Sequence, residues 1–259
     1  MSSSKIPLNQ IYRQKRTFQD YPEIEKTYNE ITQFTMDHKF YRDFGNGNHY
    51  PKGRRYDDAV LFHSDVDFNG KVVCELGARD GLFGAWLTQF VEKIYISDYF
   101  EEWGKGTEHD LGQLDYWKNF WEKVAPKPEK MVVETQDMTK LSYPDNFFDI
   151  VVCTSVIEHL YNQADWKGDM IAMKEMVRIC KPGGIILLST DMAPNESKWV
   201  SGTFYYNKED LFKRLIDHSG CELRGEYDFD FNNPENDAMT EHNGFAPVSS
   251  VVFTLRKPE

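Results

Sequence analysis

The sequence predicts an α/β fold with a doubly wound, mostly parallel seven-stranded sheet and an antiparallel C-terminal hairpin. From Gly70 onward, short apolar runs typical of buried strands alternate with segments whose apolar residues recur at helical spacing. The last two apolar runs follow one another without a helical segment between them. We therefore expect these two runs to pair as an antiparallel hairpin at the edge of the sheet.

The predicted elements are short and well separated. The strands, rich in β-branched and aromatic residues, span residues 71–76, 93–98, 131–135, 148–154, 185–190, 226–231 and 251–256. The helices, with apolar residues three or four positions apart, span residues 24–34, 57–64, 82–90, 114–124, 167–180 and 209–219. Pro182 and two glycines should stop the fifth helix, and Gly220 should follow the sixth in a left-handed conformation.

The first 68 residues differ from the rest because they combine polar–aromatic pairs with turn-forming Gly, Asn and Pro. We therefore divide the chain into an N-terminal helical and aromatic extension, residues 1–68, and an α/β domain, residues 69–259. An extension of this kind can close over a site as a lid that excludes water. We expect Tyr12, Tyr21 and Tyr28 to be its contacts with a substrate.

The balance of charge argues against unaided binding to nucleic acid. Acidic residues outnumber Lys and Arg by 42 to 30, whereas affinity for nucleic acid comes from basic contacts with phosphates. The apolar runs are far shorter than the roughly 18 residues of a membrane span. The N-terminal residues lack the apolar segment of a signal peptide, and the four cysteines lack disulfide or metal spacing. These features predict a cytoplasmic protein without a membrane partner.

Acidic residues come at the ends of the first three predicted strands, where ligands bind in a doubly wound sheet. Asp98 could accept from both hydroxyls of a ribose, and Asp137 beside Met138 could contact an adenine. Glu75 would repel a phosphate and attract an ammonium or sulfonium group. Arg79 also replaces the second glycine of a G-x-G-x-x-G turn. This pattern disfavours a nicotinamide dehydrogenase.

Five features, in the right order, match the motifs of one family. They are residues 72–81, Asp98, residues 136–149, residues 155–160 and residues 180–184. Together they resemble the class I S-adenosylmethionine-dependent methyltransferases, particularly the broad small-molecule group, over residues 69–257. The resemblance implies a Rossmann-like methyltransferase fold and S-adenosyl-L-methionine as the cofactor. Arg79 departs from the family pattern, which usually has glycine there.

The resemblance also implies which residues hold the cofactor. Glu75 would hold the amino group, Gly77 would allow close backbone approach, and Asp98 would bind the ribose. Asp137 and Met138 would contact the adenine. The other cofactor contacts expected at these strand ends are Ala78, Gly81, Tyr99 and Thr154.

The implied reaction is an in-line attack of an acceptor on the sulfonium methyl group. The protein promotes this attack mainly by aligning donor and acceptor. His159 is the candidate base for an acceptor that must lose a proton, and Glu158 is a second candidate. The alternative for both is a structural role under the cofactor. Further candidate substrate contacts, in the segments after the fifth strand and before the last, are Trp199, Tyr206 and His242. We expect no metal, because the His, Asp and Glu residues lack ligand spacing.

The predicted function is methyl transfer to the O or N of a small or medium-sized acceptor, such as a sugar, a glycan precursor or a specialised metabolite. One alternative is a protein or RNA methyltransferase, of which the acidic charge disfavours RNA. A second alternative is a catalytically inactive binding subunit with the same fold, which Arg79 keeps open. An aminopropyl transferase is less favoured, since no second acidic pair is placed for a polyamine.

Overall fold

A computed structural model describes residues 8–38, 52–64, 66–78, 81–100, 114–236 and 247–259. The strands are β1 Asn9–Ile11, β2 Val72–Leu76, β3 Lys93–Asp98, β4 Met131–Thr135, β5 Phe148–Thr154, β6 Cys180–Met192, β7 Lys198–Val200, β8 Thr203–Tyr205, β9 Glu222–Leu223, β10 Tyr227–Asp228 and β11 Ser249–Arg256. The helices are α1 Gln14–Asp20, α2 Pro22–Asp37, α3 Lys52–His63, α4 Phe83–Leu87, α5 Leu114–Val124, α6 Gly168–Ile179 and α7, which joins the consecutive helical stretches Lys208–Asp210, Leu211–Ile216 and Asp217–Ser219.

The main sheet has the strand order β10-β1-β11-β6-β5-β2-β3-β4, with β9 also paired to β11. The strands from β6 to β4 along this order are parallel, and β11 runs antiparallel to β6. Strands β7 and β8 form a separate antiparallel hairpin. The predicted α/β class with a doubly wound, mostly parallel sheet is confirmed.

Alternate residues of the central strands face opposite layers of helices, as the two-residue period of a strand requires. Val73 packs in the hydrophobic cluster that includes residues of α2 and α3, whereas its neighbour Cys74 packs in the cluster that includes residues of α6 and α7. Helices α2 and α3 of the N-terminal extension therefore cover one face of the sheet. Within the described ranges, no helix is both long and apolar enough to cross a membrane.

The edge of the sheet differs in detail from the prediction. An antiparallel C-terminal pair is present, but β11 pairs with β9 at Leu223 and Leu255 rather than with residues 226–231. Only Tyr227–Asp228 of that segment is a strand, and it pairs with β1 in parallel. The reason is that β1 lies next to β11 and occupies the place expected for the last hairpin strand. The Asn9 side chain reinforces this arrangement by accepting from the Thr254 backbone N–H at 2.8 Å.

Most of the other predicted elements are confirmed. Strands β3, β4 and β5 and helix α5 have the predicted bounds, and α6 ends at Ile179, before Pro182. Gly220 follows α7 with φ +71°, the left-handed conformation that ends a helix. Helix α4 is shorter than predicted, because Thr88 to Phe90 form turns rather than a continuation of the helix.

The N-terminal segment is tied to the core by buried hydrogen bonds. Gln10 Nε2 donates to Thr17 Oγ1 and to the Tyr56 hydroxyl, each at 2.9 Å. These two hydroxyl oxygens are also hydrogen-bonded to each other at 2.9 Å. Because β1 belongs to the sheet, the N-terminal extension contributes a strand to the fold. The division at residue 68 stays a prediction.

Candidate active site

The carboxyl ends of the parallel strands β2, β3 and β4 are held together by backbone hydrogen bonds. The Ser97 carbonyl accepts from the N–H groups of Gly77 at 2.8 Å and Ala78 at 3.1 Å. The Asp98 carbonyl accepts from the Gln136 N–H at 3.0 Å. The structure thus brings together the glycine turn after β2, the acid at the end of β3 and the loop after β4, as expected from parallel strands.

Glu75 places a buried carboxyl at the end of β2, with 3% of its surface exposed. Burial and then the nearby charge of Asp58 raise its pKa to about 8, while Arg54 and the Gly84 backbone N–H favour the ionised form. Gly84 lies against this carboxyl: a Cβ there would be 2.0 Å from Glu75 Oε2, so the carboxyl would have to shift. Sequence reasoning identified Glu75 but did not identify Gly84.

The turn after β2 packs tightly against the turn after β5. Gly77 has φ +75°, and a Cβ at this position would lie 2.4 Å from Val156 Cγ2. Ser155 has φ +52°, a left-handed conformation that is uncommon for a non-glycine residue and marks a constrained turn. Next to it, Thr154 is buried at the end of β5. Gly77 is therefore needed for contact with another strand end.

Helix α3 brings three charged side chains to this edge of the sheet. Arg54, Asp57 and Asp58 are three and four positions apart, so they share one side of the helix. Arg54 Nη2 donates to the Gly77 carbonyl at 3.2 Å. Asp57 is buried and accepts from Ser250 Oγ at 3.0 Å.

Sequence reasoning missed all three of these residues. The available signal was a set of charged residues at helical spacing among apolar residues that pack in the core, such as Ala59 and Val60. Charges in such positions usually have buried partners.

The two candidate proton carriers after β5 have opposite environments. Glu158 is buried and accepts from Thr190 Oγ1 at 3.0 Å, and its burial raises its pKa to about 7. His159 is exposed, and its Nδ1 lies 2.7 Å from the Gly202 carbonyl in the β7–β8 turn. Because a carbonyl can only accept, Nδ1 is the donor, and in the neutral imidazole Nε2 then has the lone pair that a base requires.

This part of the chain is similar to known proteins. A family model described as a methyltransferase domain matches residues 74–188. A Mycolicibacterium smegmatis relative, assigned as an S-adenosylmethionine-dependent methyltransferase, is 32% identical over 133 residues. Residues 74–188 are a class I S-adenosylmethionine-dependent methyltransferase domain. The match covers 51% of this chain and 42% of the relative, so the chain spans less than half of the relative's length.

Solved structures share the fold of this methyltransferase domain. A Bacillus halodurans protein assigned as a methyltransferase has a TM-score of 0.57 and 17% identity, covering 78% of this chain and 99% of its own. The 1,6-didemethyltoxoflavin-N1-methyltransferase of Burkholderia thailandensis has a TM-score of 0.55 and 12% identity, covering 93% of this chain and 90% of its own. The latter crystal structure contains 1,6-didemethyltoxoflavin and S-adenosylhomocysteine. The cofactor of such a domain is S-adenosyl-L-methionine.

The remaining predicted cofactor residues of the methyltransferase domain have varied exposure. Met138 is buried, whereas Tyr99 is 47% exposed. Asp137 is exposed, and its Oδ1 accepts from the backbone N–H of Thr139 at 2.8 Å and from its hydroxyl at 2.7 Å. The Gly81 carbonyl accepts from the Trp121 indole N–H at 3.0 Å, which fixes the turn after β2.

The predicted substrate residues do not form one group. Tyr206, expected as a substrate contact, is instead fully buried, and its hydroxyl donates to Asp169 at 2.9 Å. The physical reason is that Tyr206 packs into the core beside α6. Trp199 is half-buried on β7 and stacks on Tyr161, with ring centroids 5.9 Å apart. His242 and Arg79 lie outside the described residues.

The three predicted tyrosine contacts of the extension are partly buried against the core. Tyr12 follows β1 at the same edge of the sheet as the carboxyl end of β6, because both strands are antiparallel to β11. Its ring contacts Tyr56 edge-on, with centroids 4.6 Å apart. Tyr28 packs against Phe18, with ring centroids 5.3 Å apart, and Tyr21 lies immediately before α2. Tyr12 therefore lies at the edge of the sheet that carries the candidate site.

Proposed function

We propose that this chain transfers a methyl group from S-adenosyl-L-methionine to an oxygen or nitrogen of a small or medium-sized acceptor. The observation that carries the proposal is the buried Glu75 carboxyl, on which the charges of Asp58, Asp98 and Arg54 act. Among these described neighbours two are acids and one is a cation, so they favour a positively charged ligand. The cofactor fits because it carries a sulfonium, an ammonium and a single carboxylate.

The strand ends supply a separate group for each part of the cofactor. We assign Glu75 to the ammonium, Asp98 to the ribose hydroxyls and Met138 to the adenine. The Asp137 oxygen that does not accept from Thr139 is assigned to the adenine edge. The turn residues Ala78 and Gly81 and the side chains of Tyr99 and Thr154 complete the proposed site. When bound, the cofactor supplies an electrophilic methyl group.

His159 is the proposed base for acceptors that must lose a proton. Its Nε2 would take the proton, while the hydrogen bond from Nδ1 to the Gly202 carbonyl orients the ring and stabilises the imidazolium that forms. Buried Glu158 would act indirectly, since its bond to Thr190 holds the turn that carries His159. Most of the rate enhancement would come from alignment, which can supply on the order of 7–11 kcal/mol.

The proposed acceptor contacts lie on the late loops and the extension. Residues 1–68 are the proposed cover, with Tyr12 at the site edge and Trp199 on the β7–β8 hairpin as contacts; Tyr21, Tyr28 and His242 are the other assigned contacts. The toxoflavin-precursor methyltransferase, which acts on a small heterocycle, supports a small-molecule acceptor. The charge of −12 disfavours RNA.

The experiment titrates the full chain with S-adenosylhomocysteine in a calorimeter and then incubates it with methyl-labelled cofactor and a fractionated cell extract. We expect one molecule of product analogue bound per chain and labelled methyl groups in the small-molecule fraction. Label in protein or RNA would overturn the proposed acceptor class. Binding without any transfer would support the inactive binding subunit, and absence of binding would reject the cofactor site.

A further inference from the structure

We propose that Arg54 binds the carboxylate of the cofactor's amino-acid end, so that helix α3 completes the cofactor site. This inference rests on the proposed function, because it takes the ammonium of the same amino acid to lie at Glu75. It assigns a binding role to a residue outside the matched methyltransferase domain, residues 74–188.

The position of Arg54 relative to Glu75 carries the inference. Arg54 Nη2 contacts the carbonyl of Gly77 at 3.2 Å, two residues beyond Glu75. The Arg54 charge also acts on the carboxyls of both Glu75 and Glu158. The guanidinium therefore lies at the turn after β2, two residues beyond the buried acid.

An α-amino acid carries one positive and one negative charge, so its binding site needs one group of each sign. The ammonium and the carboxylate of the ligand are attached to the same carbon. A site that holds the ligand's ammonium at Glu75 must therefore also accommodate the ligand's carboxylate nearby. A guanidinium is planar and always charged, and it can donate two parallel hydrogen bonds to a carboxylate. Glu75 and Arg54 form a complementary pair for this zwitterion.

Arg54 could instead serve only as an ion partner for the buried acids. Its charge leaves the pKa of Glu75 at about 8 and that of Glu158 at about 7, so it does not offset the burial of either group. A purely structural ion partner would leave ligand affinity independent of the ligand's carboxylate. Affinity measurements on two ligands that differ only in this group separate the two roles.

The test compares S-adenosylmethionine with decarboxylated S-adenosylmethionine, by calorimetry on the full chain. In Arg54→Met we expect affinity for S-adenosylmethionine to fall roughly 10- to 100-fold, as for loss of a charged hydrogen bond. Affinity for the decarboxylated ligand should change less than about threefold by the same reasoning. Arg54→Lys keeps the charge but loses the planar fork, so it should give an intermediate loss for the carboxylated ligand only.

The matched control is Arg55→Met, which removes the adjacent guanidinium of α3. The Arg55 guanidinium carbon lies 5.8 Å from the ring centroid of Tyr28, so it serves the packing between α2 and α3. Both ligands should bind this variant as they bind the wild type. An equal loss of both ligands in Arg54→Met, or no loss of either, would overturn the inference. Failure of the wild type to bind either ligand would reject the proposed function instead. If Arg54→Met does not fold, Arg54→Lys decides by the same comparison.

Discussion

Replacing Asp169 with alanine should lower the free energy of unfolding by about 3–5 kcal/mol, the range for breaking a buried ion pair. The Asp169 side chain is 0% exposed and pairs with Arg214, whose Nη2 lies 2.6 Å from Oδ1 and whose Nε lies 2.8 Å from Oδ2. The Tyr206 hydroxyl also donates to it at 2.9 Å. Removal of the carboxylate would leave the Arg214 side chain, which is 15% exposed, and a buried hydroxyl without this partner.

Chemical denaturation of the two proteins measures this difference. The matched control is Asp20→Ala, which removes the acid of a helical ion pair with Arg16 in which both side chains are more than 40% exposed. Because solvent screens an exposed pair, the control should unfold at nearly the same denaturant concentration as the wild type. A loss in Asp169→Ala no larger than that of the control would contradict the structural role given to the Asp169–Arg214 pair.

Gly77→Ala should both destabilise the fold and weaken cofactor binding. The backbone at Gly77 has φ +75°, and the new Cβ would lie 2.4 Å from Val156 Cγ2, so the turn after β5 must shift. We expect a loss of about 3 kcal/mol in the free energy of unfolding, from left-handed strain plus overpacking. Affinity for S-adenosylhomocysteine should fall by about tenfold or more, equivalent to about 1.4 kcal/mol.

Gly70→Ala separates the left-handed strain from the overpacking. Gly70 has φ +67°, but a Cβ at this position would meet no atom within 4 Å. This control should lose only the strain, about 1–2 kcal/mol, and should keep wild-type affinity. Denaturation and calorimetry on both variants measure the two quantities. Equal losses in the two variants would show that contact between the turns after β2 and β5 has no effect.

Much of the methyltransferase domain could be predicted because its strands are uninterrupted apolar runs that end at one edge of a parallel sheet. Glu75, Asp98 and Met138 could be placed at that edge from strand order alone. The three-residue strand β1 could not, since it is too short for an alternating pattern to stand out.

The charged residues that the extension brings near Glu75 could not be predicted either. Arg54 and Asp58 precede β2 in the chain, and only the packing of α3 on the sheet brings them near Glu75. Tyr206 was misplaced because an aromatic residue after a strand has the same pattern whether it lines a pocket or packs in the core. Its partner Asp169 lies 37 positions away, so local sequence could not reveal that hydrogen bond.

The most direct test of a cofactor ammonium at Glu75 is the pH dependence of S-adenosylhomocysteine affinity, in the wild type and in Glu75→Gln. Burial raises the pKa of Glu75 to about 8, so below this pH the carboxyl must release a proton before it can pair with an ammonium. Wild-type affinity should therefore rise by up to about tenfold per pH unit from pH 6 and level off near pH 8. Glu75→Gln, which cannot ionise, should bind more weakly and with no such rise. Wild-type affinity that is independent of pH and equal to that of Glu75→Gln would contradict this account.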